Sequence, residues 1–284
     1  MEIKKVGVVG CGTMGSGIIQ VCAQSGYEVV ASEINNELLK RGLASIDSFL
    51  TKGIERGKVT QEEKEATMAH IKGTTNMQDF GDCDLVIEAA TELLDLKKKM
   101  FAELDKICPK HTILASNTSV LSVLDMAAQT NRPDKVLGLH FMNPVPLMRL
   151  VEIVRTIATS DETLETSVKF CESLGKTVVI AKDTPGFIVN CLLIPYQLDA
   201  IRMLEAGVAT REDIDTAITL GLGYPMGPLT LLDLVGVDVV YHCANAMYED
   251  TKDPKLASPT LLKKMVTAGW LGRKTGKGFY EYKK

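Results

Sequence analysis

The sequence lacks any long hydrophobic run. No segment of its 284 residues approaches the roughly 18 consecutive apolar residues of a membrane span, which argues against a membrane partner. It also lacks a basic run. The 32 Lys and Arg against 36 Asp and Glu leave a net charge of −4, unlike the basic tail or stripe of a nucleic-acid binder. No Cys-x-x-Cys occurs among the seven cysteines (Cys11, Cys22, Cys83, Cys108, Cys171, Cys191 and Cys243), whose number is odd and whose spacing is wide. That pattern suits reduced thiols packed as small core residues, with no thioredoxin-like motif and no metal site, and points to a cytoplasmic location. The N-terminus, Met1-Glu2-Ile3-Lys4-Lys5, runs straight into a strand pattern without the marks of a signal or transit peptide. There is no internal repeat and no low-complexity segment. Histidine is scarce as well: only His70, His111, His140 and His242 can supply an acid/base group that titrates near neutrality.

What is present is an ordinary globular composition, 45% hydrophobic and 24% charged, arranged in two blocks of different periodicity. Up to about residue 185, short apolar runs alternate with helical patterns. Val6–Val9 reads as a buried strand, Thr13–Ser25 as a helix and Glu28–Ser32 as a second strand, together a βαβ crossover. Asn36 reads as the cap of a long helix to about Glu55, and Thr60-Gln61-Glu62-Glu63 as a capping box. Further strands are expected at 84–88, 112–115, 136–140, 150–154 and 177–181, and helices at 96–107, 120–128 and 164–174. After Asp183-Thr184-Pro185-Gly186 the patterns become helical, at 188–205, 211–220, 229–248 and 259–268. The expectation is an α/β Rossmann-like N-terminal domain (1–185) with a mostly parallel sheet, followed by an all-α C-terminal domain (186–284). The second block is small for a free-standing core, so its apolar helices are expected to bury a subunit interface too.

Gly10-Cys11-Gly12-Thr13-Met14-Gly15 closes the first strand and opens the first helix. In a dinucleotide loop the first glycine allows the tight turn, the second lets the backbone approach the pyrophosphate, and the third lets the helix pack closely. Thr13 and Met14 then contribute to a helix N-terminus whose unpaired N–H groups attract phosphate. Glu33 ends the next strand, 23 residues after Gly10, close to the spacing expected of a ribose-binding carboxylate. It would repel a 2′-phosphate, and Ile34, Asn35 and Asn36 follow it in place of an arginine, so NAD is expected over NADP.

Oxidation of a secondary alcohol needs a hydride acceptor and a base, and the base here is sought among the four histidines. Only His140 ends an apolar strand on the ligand side of an α/β sheet. Asn143-Pro144 and Pro146 then turn the chain, and the strand 150–154 can return beside the first and bring Glu152 to the imidazole. The same pair also suits a core histidine held by a carboxylate. Ser116-Asn117-Thr118-Ser119 follows another strand at the same edge, and its hydroxyls can meet a substrate oxygen. Ser119 equally suits the N-cap of a helix beginning at Val120. Asn190 is a polar residue in an apolar helix just past the junction, where it can face a cleft or bond only to backbone.

Taken together, Gly10–Gly15, Glu88–Lys97, Ala115–Val120, His140–Pro146, Lys182–Asn190, Gly223–Pro228 and Gly272–Tyr280 closely resemble the 3-hydroxyacyl-CoA dehydrogenase family, in particular its short-chain bacterial 3-hydroxybutyryl-CoA members. The resemblance spans essentially the whole chain. It implies NAD as cofactor, an acyl-CoA thioester as substrate, and a homodimer or higher homo-oligomer. It implies that His140 is the acid/base, Glu152 its partner, and Ser119 and Asn190 the polar groups on the substrate. It further implies cofactor contacts for Glu92, Lys97, Ser119, Asn143 and Lys274, with Asn143 near the substrate as well. Without the resemblance, 92–99 reads only as a charged, solvated helix start. Lys52 and Arg56, one helical turn apart, are expected to meet the coenzyme A phosphates. Two other classes share part of this pattern. A β-hydroxyacid dehydrogenase has the glycine loop but typically works through a lysine. A non-catalytic dinucleotide-binding protein would not need the His140/Glu152 pair.

Overall fold

The computed structural model describes residues 1–283, which divide into two compact units, Met1–Thr184 and the described residues from Pro185 onward. The first unit opens with β1 (Lys5–Val9), α1 (Thr13–Gln24) and β2 (Glu28–Ser32). A helical hairpin, α2 (Asn36–Glu55) and α3 (Gln61–Ala69), precedes β3 (Ile71–Thr74). Then come β4 (Leu85–Glu88), α4 (Leu94–Ile107), β5 (Ile113–Ser116), α5 (Val123–Ala127), β6 (Val136–Phe141), β7 (Leu150–Arg155), α6 (Asp161–Ser173) and β8 (Thr177–Lys182).

The strands form one sheet in the order β3-β2-β1-β4-β5-β6-β7-β8. β1 to β6 pair in parallel, β7 runs antiparallel to β6, and β8 is parallel to β7. The mostly parallel Rossmann-like sheet is therefore present, with a reversal after β6 that places His140 opposite Glu152. Helices cover the sheet, so its central strands are buried throughout, as continuous apolar runs require. Val6, Val8, Leu85, Ile87, Leu114, Leu137, Leu139, Val151 and Ile153 are essentially inaccessible. Each contributes about 1.5–3 kcal/mol of burial, which makes the sheet a stiff platform for its loops.

Local chemistry sets the boundaries. Thr60 and Glu63 form the expected capping box at the start of α3. The cap of α2 is Asn35 rather than Asn36: its side chain accepts the Leu38 N–H at 2.9 Å. The helix expected from Val120 starts only at Val123. Its cap is Ser122, whose hydroxyl accepts the Asp125 N–H, and the Asp183 carboxylate accepts from Val123 and Leu124. Ser119 is therefore not the N-cap, and the turn that carries it stays non-helical. β3 was not expected from the sequence; Ile71-Lys72-Gly73-Thr74 has no apolar alternation and is a strand because it pairs with β2. At the far end of α4, Arg132 closes the helix by donating to the carbonyls of Asp105, Cys108 and Pro109 and to Asp105 Oδ1 at 2.7 Å.

The second unit is helical: α7 (Val189–Glu205), α8 (Arg211–Leu222), α9 (Pro228–Val235), α10 (Val237–Thr251) and α11 (Thr260–Thr267). The single helix expected over 229–248 is two. The chain turns by 95° at Gly236, whose φ of 115° is left-handed territory, and the period of the apolar residues carries on across the break. Two aspartates organise this unit. Asp215 accepts the N–H groups of Leu229 and Thr230 at 2.8 and 2.9 Å, standing in for the side-chain cap that Gly227 cannot supply. Asp233 accepts from the N–H groups of Phe279 and Tyr280, both at 2.9 Å, and from the Tyr282 hydroxyl at 3.0 Å. No single helix among the described residues is long and apolar enough to cross a membrane.

Candidate active site

The C-terminal ends of the parallel strands carry almost every side chain singled out in the first unit. β1 runs into the glycine loop. At Gly10 (φ 95°) a Cβ would meet the Ala89 carbonyl oxygen at 2.9 Å, and at Gly15 it would lie 1.8 Å from the Gly10 oxygen. Those two glycines are demanded by the protein's own packing. Gly12 is different: a Cβ there would meet nothing within 4 Å. Its bare backbone faces open space at the N-cap of α1, and no acidic residue sits in the first turn of that helix. This is the arrangement an incoming pyrophosphate requires.

Glu33 secures the loop. Its carboxylate accepts the Cys11 N–H at 2.8 Å and its own neighbour's, Ile34, at 3.1 Å. Each oxygen keeps a second lone pair, so the group can still receive ribose hydroxyls. Burial pushes the Cys11 thiol up to about 12, helped by the Glu33 charge, which keeps it protonated and unreactive beside the loop. The donors, the open glycine and the acidic residue that follows β2 fit NAD. Thr13 and Asn143 line one cavity of about 170 Å³, together with Ser45 and Phe49 of α2, and the Asn143–Pro144 peptide there is cis.

His140 is 5% exposed and Glu152 fully buried. As register partners on β6 and β7 they face the same way, and His140 Nδ1 lies 2.7 Å from Glu152 Oε2. A carboxylate can only accept, so Nδ1 carries the proton and the lone pair of a neutral ring is on Nε2. Nε2 is 3.2 Å from the hydroxyl of Ser119. The other three histidines are exposed, and one of them, His111, sits by Asp84 at the opposite end of the sheet.

The stretch that reads as a charged, solvated helix start is nothing of the kind at Lys97. That lysine is 1% exposed and its ammonium contacts both oxygens of the fully buried Glu88, at 2.7 and 2.8 Å, and Glu92 Oε2 at 3.1 Å. Glu92 in turn accepts the Thr118 hydroxyl and the Ser119 N–H. Glu88 and Ser116 escaped the sequence reading as individual site residues. The available signal was that both end apolar strands at the edge where His140 sits, and they are register partners there.

Lys52 and Arg56 are exposed at the C-terminal end of α2, one turn apart, and do not line the cavity with Thr13 and Asn143. Asn190 and Lys274 belong to the second unit. Asn190 is half-buried in the first turn of α7, and the Lys274 ammonium pairs with Asp238 of α10 at 2.6 Å.

Comparison with known proteins gives the same outline. The NAD binding domain of 3-hydroxyacyl-CoA dehydrogenase matches residues 5–184, and the C-terminal domain of 3-hydroxyacyl-CoA dehydrogenase matches residues 186–282. A 3-hydroxybutyryl-CoA dehydrogenase of Mycobacterium tuberculosis is 47% identical over 282 residues, 99% of either chain. Among solved structures, FadB2 of M. tuberculosis superposes with a TM-score of 0.98 at 46% identity, covering 100% of both chains. The (S)-3-hydroxybutyryl-CoA dehydrogenase PaaH1 of Ralstonia eutropha does so with a TM-score of 0.95 at 43% identity, again covering 100% of both. With an open glycine loop on one strand end and a buried histidine on another, and with likeness extending over both units, the chain belongs to the 3-hydroxyacyl-CoA dehydrogenase family and is an oxidoreductase with NAD as its cofactor.

Proposed function

We propose that the protein interconverts acetoacetyl-CoA and (S)-3-hydroxybutyryl-CoA, with His140 as general acid/base and Glu152 as its partner. The observation that carries this reading is the line Ser119 Oγ–His140 Nε2–His140 Nδ1–Glu152 Oε2, with links of 3.2 and 2.7 Å, at the sheet edge that also bears the glycine loop. The four-carbon thioester is chosen because full-length relatives in two bacteria act on it by name.

NAD, when bound, exchanges a hydride with the carbon that carries the substrate oxygen. The chain's own residues handle the proton. In the oxidative direction neutral His140 accepts the hydroxyl proton at Nε2, and the buried Glu152 carboxylate stabilises the imidazolium through Nδ1–H. In the reductive direction the imidazolium returns that proton to the developing alkoxide. Ser119 orients the same oxygen from beside Nε2, and Asn190 is assigned a second hydrogen bond to it. Glu33, the loop 10–15, Glu92, Lys97, Asn143 and Lys274 are assigned to the cofactor, and Lys52 and Arg56 to the coenzyme A phosphates.

We assign residues 1–185 to cofactor binding and 186–284 to substrate binding and self-association. Leu220, Leu222, Leu234, Val235 and Val239 are exposed apolar side chains of the helical unit, which supports a homodimer or higher homo-oligomer. Seven free cysteines, five of them buried, support a reducing, cytoplasmic setting.

His140→Gln tests the assignment. With acetoacetyl-CoA and NADH, kcat is expected to fall by about 10²–10⁴-fold while both ligands still bind. A variant that turned over at the wild-type rate would remove His140 from the mechanism. Failure of the wild type to oxidise NADH with the thioester would favour a non-catalytic dinucleotide-binding protein.

A further inference from the structure

Ser119 sits on a turn that the sheet holds at Asn117, whose N–H donates to the Glu88 carbonyl at 2.8 Å and whose Oδ1 accepts the Phe141 N–H at 2.9 Å, and not at Ser119 itself. β5 ends at Ser116, α5 begins at Val123, and Ser119 is half-buried between them. Residues between elements are more mobile than the strands they follow unless tied down. Yet the hydroxyl of Ser119 lies 3.2 Å from His140 Nε2, near the long end of hydrogen-bond range, so a displacement of even 1 Å would break the contact.

The ties beyond Asn117 lead back to one buried carboxylate. Glu88, fully buried, accepts four hydrogen bonds from three groups: Lys97 Nζ on both oxygens, the Ala90 N–H at 2.7 Å on Oε1, and the Ser116 hydroxyl at 2.7 Å on Oε2. Ser116 has no exposed surface. Having given its proton to Glu88, its oxygen is left as an acceptor, and it takes the Thr118 N–H at 3.2 Å. Thr118 and Ser119 then bind Glu92, which the same Lys97 ammonium holds from its other side. One cation thus fixes two carboxylates, and the two carboxylates fix the turn from below and from the side.

We propose that Glu88 and Ser116 are positioning residues for proton transfer: Glu88, held by Lys97, orients the Ser116 hydroxyl, Ser116 sets the backbone at Thr118, and this holds Ser119 against His140. Neither residue touches substrate or cofactor in this scheme. The inference rests on the roles given above to Ser119 and His140.

The test is a double-mutant cycle on thioester reduction, with Ser116→Ala, Ser119→Ala and the pair, and with Glu88→Gln as an independent probe. Ser116→Ala removes one hydroxyl and leaves the Glu88–Lys97 pair in place, so it tests the relay even if Glu88→Gln does not fold. Ser116→Ala is expected to lower kcat about tenfold, with KM for the thioester and Kd for NADH within about threefold of wild type. The double variant should be no slower than Ser119→Ala alone, because Ser116 acts only through Ser119. A merely structural serine would lower thermal stability without this non-additivity. If Ser119→Ala is slow but Ser116→Ala stays within about twofold of wild type, or the two losses multiply, the positioning role is overturned. If Ser119→Ala itself turns over at the wild-type rate, the role of Ser119 falls, and the positioning role with it.

Discussion

His140 and Glu152 are directly opposed across the only antiparallel pairing among the named strands, and their 2.7 Å contact is written into the strand register. Twelve residues separate them in sequence, and the loop 142–149 between them is what reverses the chain. Lys176 holds that loop from behind: its buried ammonium donates to the carbonyls of Val145 at 2.6 Å and Met148 at 2.9 Å. Glu152 is consequently not free to move away from the imidazole, and its charge has no access to solvent.

The first prediction follows from that confinement. Glu152→Gln keeps size and shape but removes the charge that would stabilise an imidazolium, and its amide nitrogen can present a proton where Nδ1–H needs an acceptor. We expect kcat to fall by about 10²–10⁴-fold with NADH affinity unchanged. Steady-state kinetics together with NADH fluorescence titration checks it, and a wild-type kcat would show that the pair is structural.

How much of this was legible in the sequence varies with the length scale of the interaction. The βαβ opening, the glycine loop, Glu33 and the capping box at Thr60 rest on neighbours in the chain, and local chemistry announces them. The return of β7 beside β6 was readable because Asn143-Pro144 and Pro146 force a turn between two apolar runs. Lys97 was not, since a lysine among charged residues reads as solvated until its partner, Glu88, is known to end a strand beside it. Gly236 was passed over for a related reason: the apolar period continues across it, and only the backbone shows the 95° corner. Ser119 suits a helix cap as well as a substrate contact while the helix is expected from Val120, and the later start at Val123 depends on Asp183, about 60 residues away.

The second prediction separates the glycines that serve the protein from the one that serves its ligand. Gly15→Ala puts a methyl group 1.8 Å from a backbone oxygen that cannot give way, and should cost about 3 kcal/mol or more of stability. Gly12→Ala meets nothing in the chain, so it should melt close to wild type yet bind NADH at least about tenfold more weakly, through obstruction of the pyrophosphate. Thermal melts paired with NADH titration distinguish the two. A Gly12→Ala protein with intact NADH affinity would contradict the loop's assignment.

The third concerns the end of the chain. A Cβ on Gly278 would lie 1.9 Å from Asp233 Oδ1, so the segment can dock on α9 only because residue 278 has none. Gly278→Ala and Asp233→Ala should both release the segment, the second by leaving the N–H groups of Phe279 and Tyr280 without their acceptor, at a cost of about 1–3 kcal/mol each. Limited proteolysis with mass analysis of the C-terminus reads this directly. Cleavage after residue 272 should accelerate in both variants and not in Lys283→Ala.

The fourth prediction is a pH dependence away from the site. Burial of Asp105 raises its pKa, but hydrogen bonds from the Asn131 backbone and side chain and from the Arg132 guanidinium outweigh it, so the carboxyl titrates below its ordinary 3.8. With a folded pKa lower than the unfolded one, the unfolded chain binds more protons between the two values. The stabilisation is then complete above pH 3.8 and is lost as pH falls through the folded pKa. Arg132→Met removes the guanidinium, moves the Asp105 pKa up toward its ordinary 3.8, and takes one donor each from three carbonyls at the end of α4. Wild type should therefore exceed Arg132→Met in stability by the widest margin near neutrality, and the gap should narrow below pH 3.8 as both carboxyls become protonated. Urea unfolding at a series of pH values measures the gap, and a difference that stayed constant down to the lowest pH would show that Arg132 acts through the carbonyls alone.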